Sequence, residues 1–365
     1  MADYNAKIKE FEEELQKTKY NKATQGHIGL VKAKIAQLKE KQEARSAQKT
    51  GKSDYGYSVR KSGDATVLLL GFPSTGKSTL LNKLTNTSSE VAAYDFTTLS
   101  VIPGLMEHNQ AKIQILDVPG IVSGAASGRG RGKEVLAVIR TTDLVLIIVD
   151  INHPEHYPSI LREVWESGIR INKKKPEVYI KKTSKGGIQI GKTIHLEVED
   201  ETLKQILREF KTTNADVLIR SPIDIDEFID CIEGNKKYLP AITCVTKIDT
   251  VSPDKIKAIM QQLHADIAIS AEKNINIAPL KDLIFRKLDF MRIYLKEPRK
   301  EPDLKEPLIM KRHSTIQDIC EKLHKDLTTK FKFARVWGKS TKFPGQKLML
   351  NHLLVDGDVL EIHLR

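Results

Sequence analysis

The chain opens on a helical rhythm. Ile8, Phe11 and Leu15, then Ile28, Leu30, Val31, Ile35 and Leu38, recur at near-helical spacing between charged positions. That period places apolar groups on one stripe and predicts helix over residues 1–45. The Gln25-Gly26-His27 stretch divides the stripe, so two helices in an αα-hairpin are expected. Residues 46–58, rich in Ser, Gly, Lys and Tyr, read as a linker, which gives an N-terminal module of 1–58. From about residue 63 the pattern changes. Apolar runs at 67–70, 113–116, 144–149 and 241–245 alternate with amphipathic segments, the signature of a doubly wound α/β sheet.

One interval is too long. About ninety residues separate the runs at 144–149 and 241–245, where one helix and short loops need about 30–40. The body is therefore expected to comprise 63–170 and 238–289, interrupted by a small α+β subdomain at 171–237. Its strand-like pieces are 178–181, 188–190 and 194–198, with Ser184-Lys185-Gly186-Gly187 as a hairpin turn between two of them and a helical second half. The Lys173-Lys174-Lys175 edge suits either RNA or protection of a sheet edge against pairing. After a joint rich in Pro, Lys and Glu at 297–307, residues 290–365 read as a small mixed sheet clasping one helix. The strands are expected at 308–310, 334–337, 346–348 and 359–364, the helix at 315–327, and a turn at Asp356-Gly357-Asp358. No grouping of catalytic residues marks this segment, so it is expected to bind rather than react.

Chemistry concentrates in the body. Gly71 to Ser78 reads GFPSTGKS between an apolar run and a helix-like segment, the strand–loop–helix setting of the phosphate-binding loop G-x-x-x-x-G-K-[ST]. Gly71 and Gly76 let the backbone curl so that N–H groups face an anion at a helix N-terminus. Lys77 can reach the outer phosphates, and the Ser78 hydroxyl can ligate Mg²⁺. Thr246-Lys247-Ile248-Asp249 follows a later apolar run, where a carboxylate can accept both N1–H and the exocyclic amine of guanine. Adenine lacks that donor pair, so the motif favours guanine. The stem of Lys247 can lie along the base, and a backbone N–H in Ser270-Ala271-Glu272-Lys273 can meet the guanine O6. Asp117-Val118-Pro119-Gly120 offers Asp117 to Mg²⁺ through water and the Gly120 N–H to a γ-phosphate. Phe96-Thr97-Thr98 offers hydroxyls that can close on the cation in the triphosphate state. Ile121 stands where many GTPases carry a water-orienting Gln, so slow intrinsic turnover is expected.

Charge and composition refine this picture. The net charge is +12, yet residues 1–62 hold 14 Lys+Arg against 8 Asp+Glu and residues 290–365 hold 16 against 10. Each flank thus carries +6 and the remainder balances, which points the flanks toward a polyanion such as ribosomal or other RNA. Ordinary solubilising charge is the competing explanation. There is no run of eighteen apolar residues and no signal-peptide pattern, so a cytoplasmic protein without a membrane span is expected. Cys231, Cys244 and Cys320 lack metal-ligand spacing and are expected to be reduced thiols.

Through GFPSTGKST, AYDFTTLSVIPG and DVPGIVSGAASGRGRGKEVLAVIRTTD, the chain resembles the developmentally regulated GTP-binding protein (DRG) family, in the Obg-related branch of translation-factor-class GTPases. The resemblance spans nearly the whole length. It implies a Ras-like P-loop GTPase domain with an N-terminal helical hairpin, an inserted S5D2-like subdomain at 171–237 and a β-grasp TGS domain at 290–365. By position it implies that Ser74, Thr75, Gly76, Lys77, Ser78 and Thr79 form the phosphate loop, and that Thr246, Lys247 and Asp249 with Ser270 and Ala271 hold guanine. Ser78, Thr98 and Asp117 would serve Mg²⁺, while Lys77, Thr98 and Gly120 would act in hydrolysis of GTP to GDP. Thr246 replaces the usual Asn, and Ser74 stands where potassium-activated relatives often carry Asn, leaving K⁺ only a hydroxyl ligand there. The implied role is that of a slow ribosome-associated switch in translation, with a zinc-finger-containing protein as stabilising partner. A non-catalytic adaptor, in which bound GTP only orders the switches for docking, is the alternative.

Overall fold

The computed structural model describes residues 4–49, 63–85, 102–117 and 141–365. The linker beyond Lys49, the Phe96-Thr97-Thr98 hydroxyls and Val118 to Ile121 lie outside these residues. The described chain divides into two compact units, Met1–Gly56 with Lys173–Tyr238 and Tyr57–Asn172 with Leu239–Arg365.

In the first unit, helices α1 (Tyr4–Lys17) and α2 (Gln25–Lys49) form the hairpin. The break lies at residues 18–24, earlier than the Gln25-Gly26-His27 stretch that the sequence suggested. Local polar groups end the first helix and start the second: the Thr18 hydroxyl bonds back to Glu14 O, and the Thr24 hydroxyl to Lys19 O. The expected linker is also shorter at its start, since α2 continues to Lys49. Glycines inside α2 are explained by packing. A Cβ at Gly29 would come within 3.1 Å of the Thr202 methyl and 3.2 Å of Ile206 Cδ1, so any larger residue would push those side chains back.

The inserted segment of this unit contains strands β6 (Val178–Lys182), β7 (Ile188–Lys192) and β8 (Ala215–Ile219), and helices α5 (Asp200–Glu209) and α6 (Ile225–Glu233). Strand order is β6-β8-β7, with β7 and β8 parallel and β6 and β8 antiparallel. The expected hairpin between β6 and β7 is therefore not formed. β8 brings Ala215, Val217 and Ile219 to the core on alternate positions and takes the central place. Nor is 194–198 a strand; Leu196 and Val198 are buried from irregular backbone. Leu203, Ile206, Leu207 and Phe228 fill the core, and Ala33 of α2 joins the same cluster. The hairpin and the insertion share one core, although about 130 residues separate them in sequence. Polar contacts reinforce it: Gln25 donates to Glu197 O and accepts from Glu199 N–H, and Lys32 pairs with Asp226 at 2.6 Å.

The second unit is built on β1 (Ala65–Leu70), β2 (Ile102–His108), β3 (Ala111–Asp117), β4 (Leu144–Asp150), β10 (Ala241–Thr246) and β11 (Ile267–Ala268). Short strands β5 (Ile169–Ile171) and β9 (Lys237–Leu239) flank the insertion. The order β11-β10-β4-β1-β3-β2 is parallel except for β2, which runs antiparallel to β3. β1, β4 and β10 are buried at every position, as two-sided coverage by helices demands. Among the described residues its helices include α3 (Lys77–Leu84), α4 (His156–Glu166), α7 (Pro253–Leu263) and α8 (Ile277–Lys287).

The C-terminal sheet has order β13-β12-β16-β14-β15, from β12 (Phe290–Leu295), β13 (Leu308–Lys311), β14 (Phe331–Trp337), β15 (Gln346–Leu348) and β16 (Val359–Leu364). β12 runs parallel to β16, the crossing pattern of a β-grasp. The single helix expected at 315–327 is two, α9 (Ile316–Leu323) and α10 (Lys325–Lys330). His324 breaks them: its backbone is extended and its Nδ1 accepts from Asp326 N–H. Strand alternation joins this sheet to the body built on the β11-β10-β4-β1-β3-β2 sheet. Phe290 and Ile309 enter the body's core, whereas Met291, Ile293 and Met310 face the β-grasp core.

Candidate nucleotide site

The phosphate loop forms where an apolar strand meets a helix. β1 ends at Leu70, and Gly71 lies so close to β4 that a Cβ there would sit 2.6 Å from Ile148 O. Ser74 and Gly76 adopt positive φ (62° and 90°), which curls the loop toward the first turn of α3. An open cleft of about 300 Å³ follows, lined by Ser74, Gly76, Lys77, Ser78, Thr79 and Lys247. Six residues singled out from sequence thus meet at one place.

The remaining loop residue, Thr75, is buried. Its hydroxyl donates to Phe72 O at 2.9 Å, and its carbonyl accepts from the Thr246 hydroxyl at 2.8 Å. Thr246 Oγ1 also lies 3.3 Å from Val149 O. The Thr246 side chain is therefore a brace between β10 and the loop. Its small, buried hydroxyl reaches a carbonyl before it can reach the cleft.

Lys77 donates to Gly71 O and Phe72 O at 2.9 and 2.8 Å. Burial pushes its ammonium below the ordinary lysine range, while the Asp117 charge opposes that shift. Ser78 Oγ donates to Asp117 Oδ2 at 3.1 Å, and Asp117 Oδ1 is buried without a hydrogen-bond partner. An orphaned carboxylate oxygen beside a serine hydroxyl is a hard-oxygen donor set, and it fits Mg²⁺.

At the other end, Lys247 takes a left-handed φ of 59°, which turns the end of β10 into the short 3-10 helix Ile248–Thr250. Its Nζ meets Asp150 Oδ2 at 2.7 Å. Desolvation disfavours the Asp150 charge, yet hydrogen bonds from Lys247 and the Asn152 N–H hold its carboxyl below the usual range. The Ser270 hydroxyl lowers the Asp249 carboxyl despite some desolvation, and Lys273 stands 4.0 Å from it. Ser270 is fully buried and bonded to Ile275 across a bridge, and Ala271 is 9% exposed. Asp249, Ser270 and Ala271 thus belong to one polar edge. Thr98 and Gly120 lie outside the described residues. Sequence reasoning passed over Asp150 and its partner Lys247 as an ion pair, and over the stack of Phe72 on His156 at 4.2 Å. The adjacent histidine-bearing turn, HPEH at 153–156, was the available signal.

Comparison with known proteins agrees with this geometry. A family model described as 50S ribosome-binding GTPase matches residues 66–182, one for the C-terminal region of that domain matches 185–290, and a TGS domain matches 291–364. An uncharacterized GTP-binding protein of Methanocaldococcus jannaschii is 50% identical over 98% of this chain and 92% of its own length. Developmentally-regulated GTP-binding protein 2 of Homo sapiens is 41% identical, and its homolog in Dictyostelium discoideum 43%, each over 98% of both chains. Era from Aquifex aeolicus, solved with GDP.AlF4-, is 18% identical over 75% of this chain and 72% of its own, at a TM-score of 0.34. A P-loop site on a Ras-like sheet, a C-terminal TGS domain and near-full-length identity above 40% place this chain in the developmentally regulated GTP-binding protein family.

Proposed function

We propose that this protein hydrolyses GTP slowly to GDP and phosphate and acts as a ribosome-associated switch in translation. The observation that carries hydrolysis is the cleft at Ser74 to Thr79, with Lys77 at its mouth and the unpartnered Asp117 oxygen behind Ser78. Lys77 exchanges its two loop carbonyls for phosphate oxygens, so little reorganisation accompanies binding. Ser78 and Asp117 would hold Mg²⁺, which would supply charge neutralisation on the phosphates. Asp249 accepts from guanine, its ionised form favoured by the Ser270 hydroxyl. Thr98 and the Gly120 N–H sense the γ-phosphate by family position. With Ile121 in the usual glutamine's place, intrinsic turnover is slow, and K⁺ at Ser74 is a further accelerator to test.

The ribosomal part rests on the +6 charge of each flank and on the description of the matching GTPase family. A zinc-finger-containing stabilising partner and a cytoplasmic location follow from the family in the same way; among the described residues no helix is long and apolar enough to cross a membrane. Multiple-turnover GTP hydrolysis, with and without ribosomes and in K⁺ against Na⁺, tests the reading. Lys77→Ala and Ser78→Ala each abolish phosphate release if it is right. Full turnover by either variant refutes the catalytic roles, and a wild-type protein that stays at residual activity with ribosomes is an adaptor instead.

A further inference from the structure

Just past the C-terminal end of β4 the chain makes a tight turn and enters α4. His153 N–H donates to Asp150 O at 2.9 Å and His156 N–H to His153 O at 3.2 Å, so His153, Glu155 and His156 are gathered into one turn. Each offers a ligand atom, and the three atoms lie within 4.8 Å of one another. His153 Nδ1 and Glu155 Oε1 are 3.0 Å apart on side chains that are 57% and 63% exposed. His156 differs: its Nδ1 is buried and has no hydrogen-bond partner. A buried imidazole nitrogen without a partner carries a desolvation cost that a ligand would remove. The ring is also stacked, its centroid 4.2 Å from that of Phe72 at 26° and 5.3 Å from that of His153 at 20°.

We propose that His153, Glu155 and His156 form a binding site for a divalent transition cation of the zinc class, and that its occupancy is felt at the phosphate loop through the His156–Phe72 stack. Two imidazoles and one carboxylate are the donors such cations take, whereas Mg²⁺ prefers an all-oxygen shell. Ligands at about 2.0–2.2 Å in tetrahedral array stand about 3.3 Å from one another, so the His153–Glu155 pair is already near its place. Rotamer adjustment of those two exposed side chains closes the rest. The fourth position faces solvent and takes water. Phe72 lies between Gly71 and the loop proper, so a cation that fixes the His156 ring also fixes the flank of the nucleotide cleft. The metal site stands independently of nucleotide chemistry; the coupling rests on the cleft being the nucleotide site.

Calorimetric titration of the full chain with ZnCl₂, in excess Mg²⁺, tests the site without nucleotide. One Zn²⁺ per chain is expected, with affinity reduced at least tenfold in His153→Ala and in Glu155→Gln, whose exposed side chains can change without disturbing the fold. Binding of equal strength and stoichiometry in both variants overturns the site. The coupling is read from the affinity for a fluorescent GDP analogue with and without Zn²⁺, since linkage makes any effect reciprocal. A shift of threefold or more in wild type, absent from His153→Ala, supports it. Zinc binding at these residues with no shift overturns the coupling alone, and failure of the analogue to bind at all overturns the nucleotide reading instead.

Discussion

In the proposed reading Asp249 is the acceptor for guanine, and Asp249→Asn would put a donor against the exocyclic amine. The variant is expected to lose GTP affinity and turn toward xanthosine nucleotides, measured by competition between the two; unchanged GTP binding would remove Asp249 from base recognition. Thr246 acts one step back. Its hydroxyl is the bond between β10 and the Thr75 carbonyl, at 2.8 Å and out of water. Thr246→Val strands that carbonyl at a cost of about 1–3 kcal/mol. Because the loop is then less ordered before binding, GTP affinity should fall by about tenfold, near 1.4 kcal/mol, with guanine still preferred over adenine. A loss of preference without a loss of affinity would show that Thr246 reads the base after all. The residue type and its place were visible in the sequence, but its partner was not, because a hydroxyl's direction depends on which strand lies beside it.

Among elements, the β12 strand shows how pairing carries electrostatics. Arg292 meets Asp356 through its side chain at 2.8 and 3.1 Å and through its backbone N–H at 2.7 Å. The Arg292 hydrogen bond, outweighing desolvation, draws the Asp356 carboxyl below its ordinary value of 3.8. A folded-state pKa below the unfolded one stabilises at pH above 3.8, and the contribution is lost as pH falls through the lowered value. Asp356→Asn is therefore expected to destabilise the C-terminal domain at pH 7 by about 1 kcal/mol, a modest figure because both side chains are partly exposed. Thermal melts should show the gap between variant and wild type narrowing toward pH 3. A gap independent of pH would assign the effect to packing rather than charge. The helix after β13 teaches a related lesson: apolar spacing favoured one helix over 315–327, yet His324 caps a second one. Periodicity marks a buried face and is blind to a one-residue change of direction.

For the molecule as a whole, the joint between body and TGS domain is a shared core. Phe290 and Ile309 pack with Ile284 and Leu288 of the GTPase body, and Gln110 donates to Leu304 O and Lys305 O. Deleting 290–365 should thus lower the melting temperature of what remains, since loss of a buried Phe alone costs about 3–5 kcal/mol. Assayed well below that melting point, GTP turnover should stay near its basal rate, because the residues of the cleft all precede 290. Co-sedimentation with ribosomes should weaken and lose part of its salt dependence, as sixteen basic side chains are removed. Collapsed turnover with undiminished ribosome binding would make the domain a support for catalysis rather than a docking module.

Where a property depends on neighbours along the chain, the sequence alone was sufficient. Strand–loop–helix at 71–78 is such a local pattern, since backbone curl, helix dipole and strand burial act within a few residues. Where it depends on neighbours across the fold, only the tertiary structure decided. The central place of β8, the union of Ala33 with the inserted core and the turning of Thr246 onto Thr75 all join residues far apart in sequence. So does the stack that carries Phe72 to His156. Such contacts form when elements satisfy each other's buried surface and polar groups, and no spacing rule within one element specifies which partner it will meet.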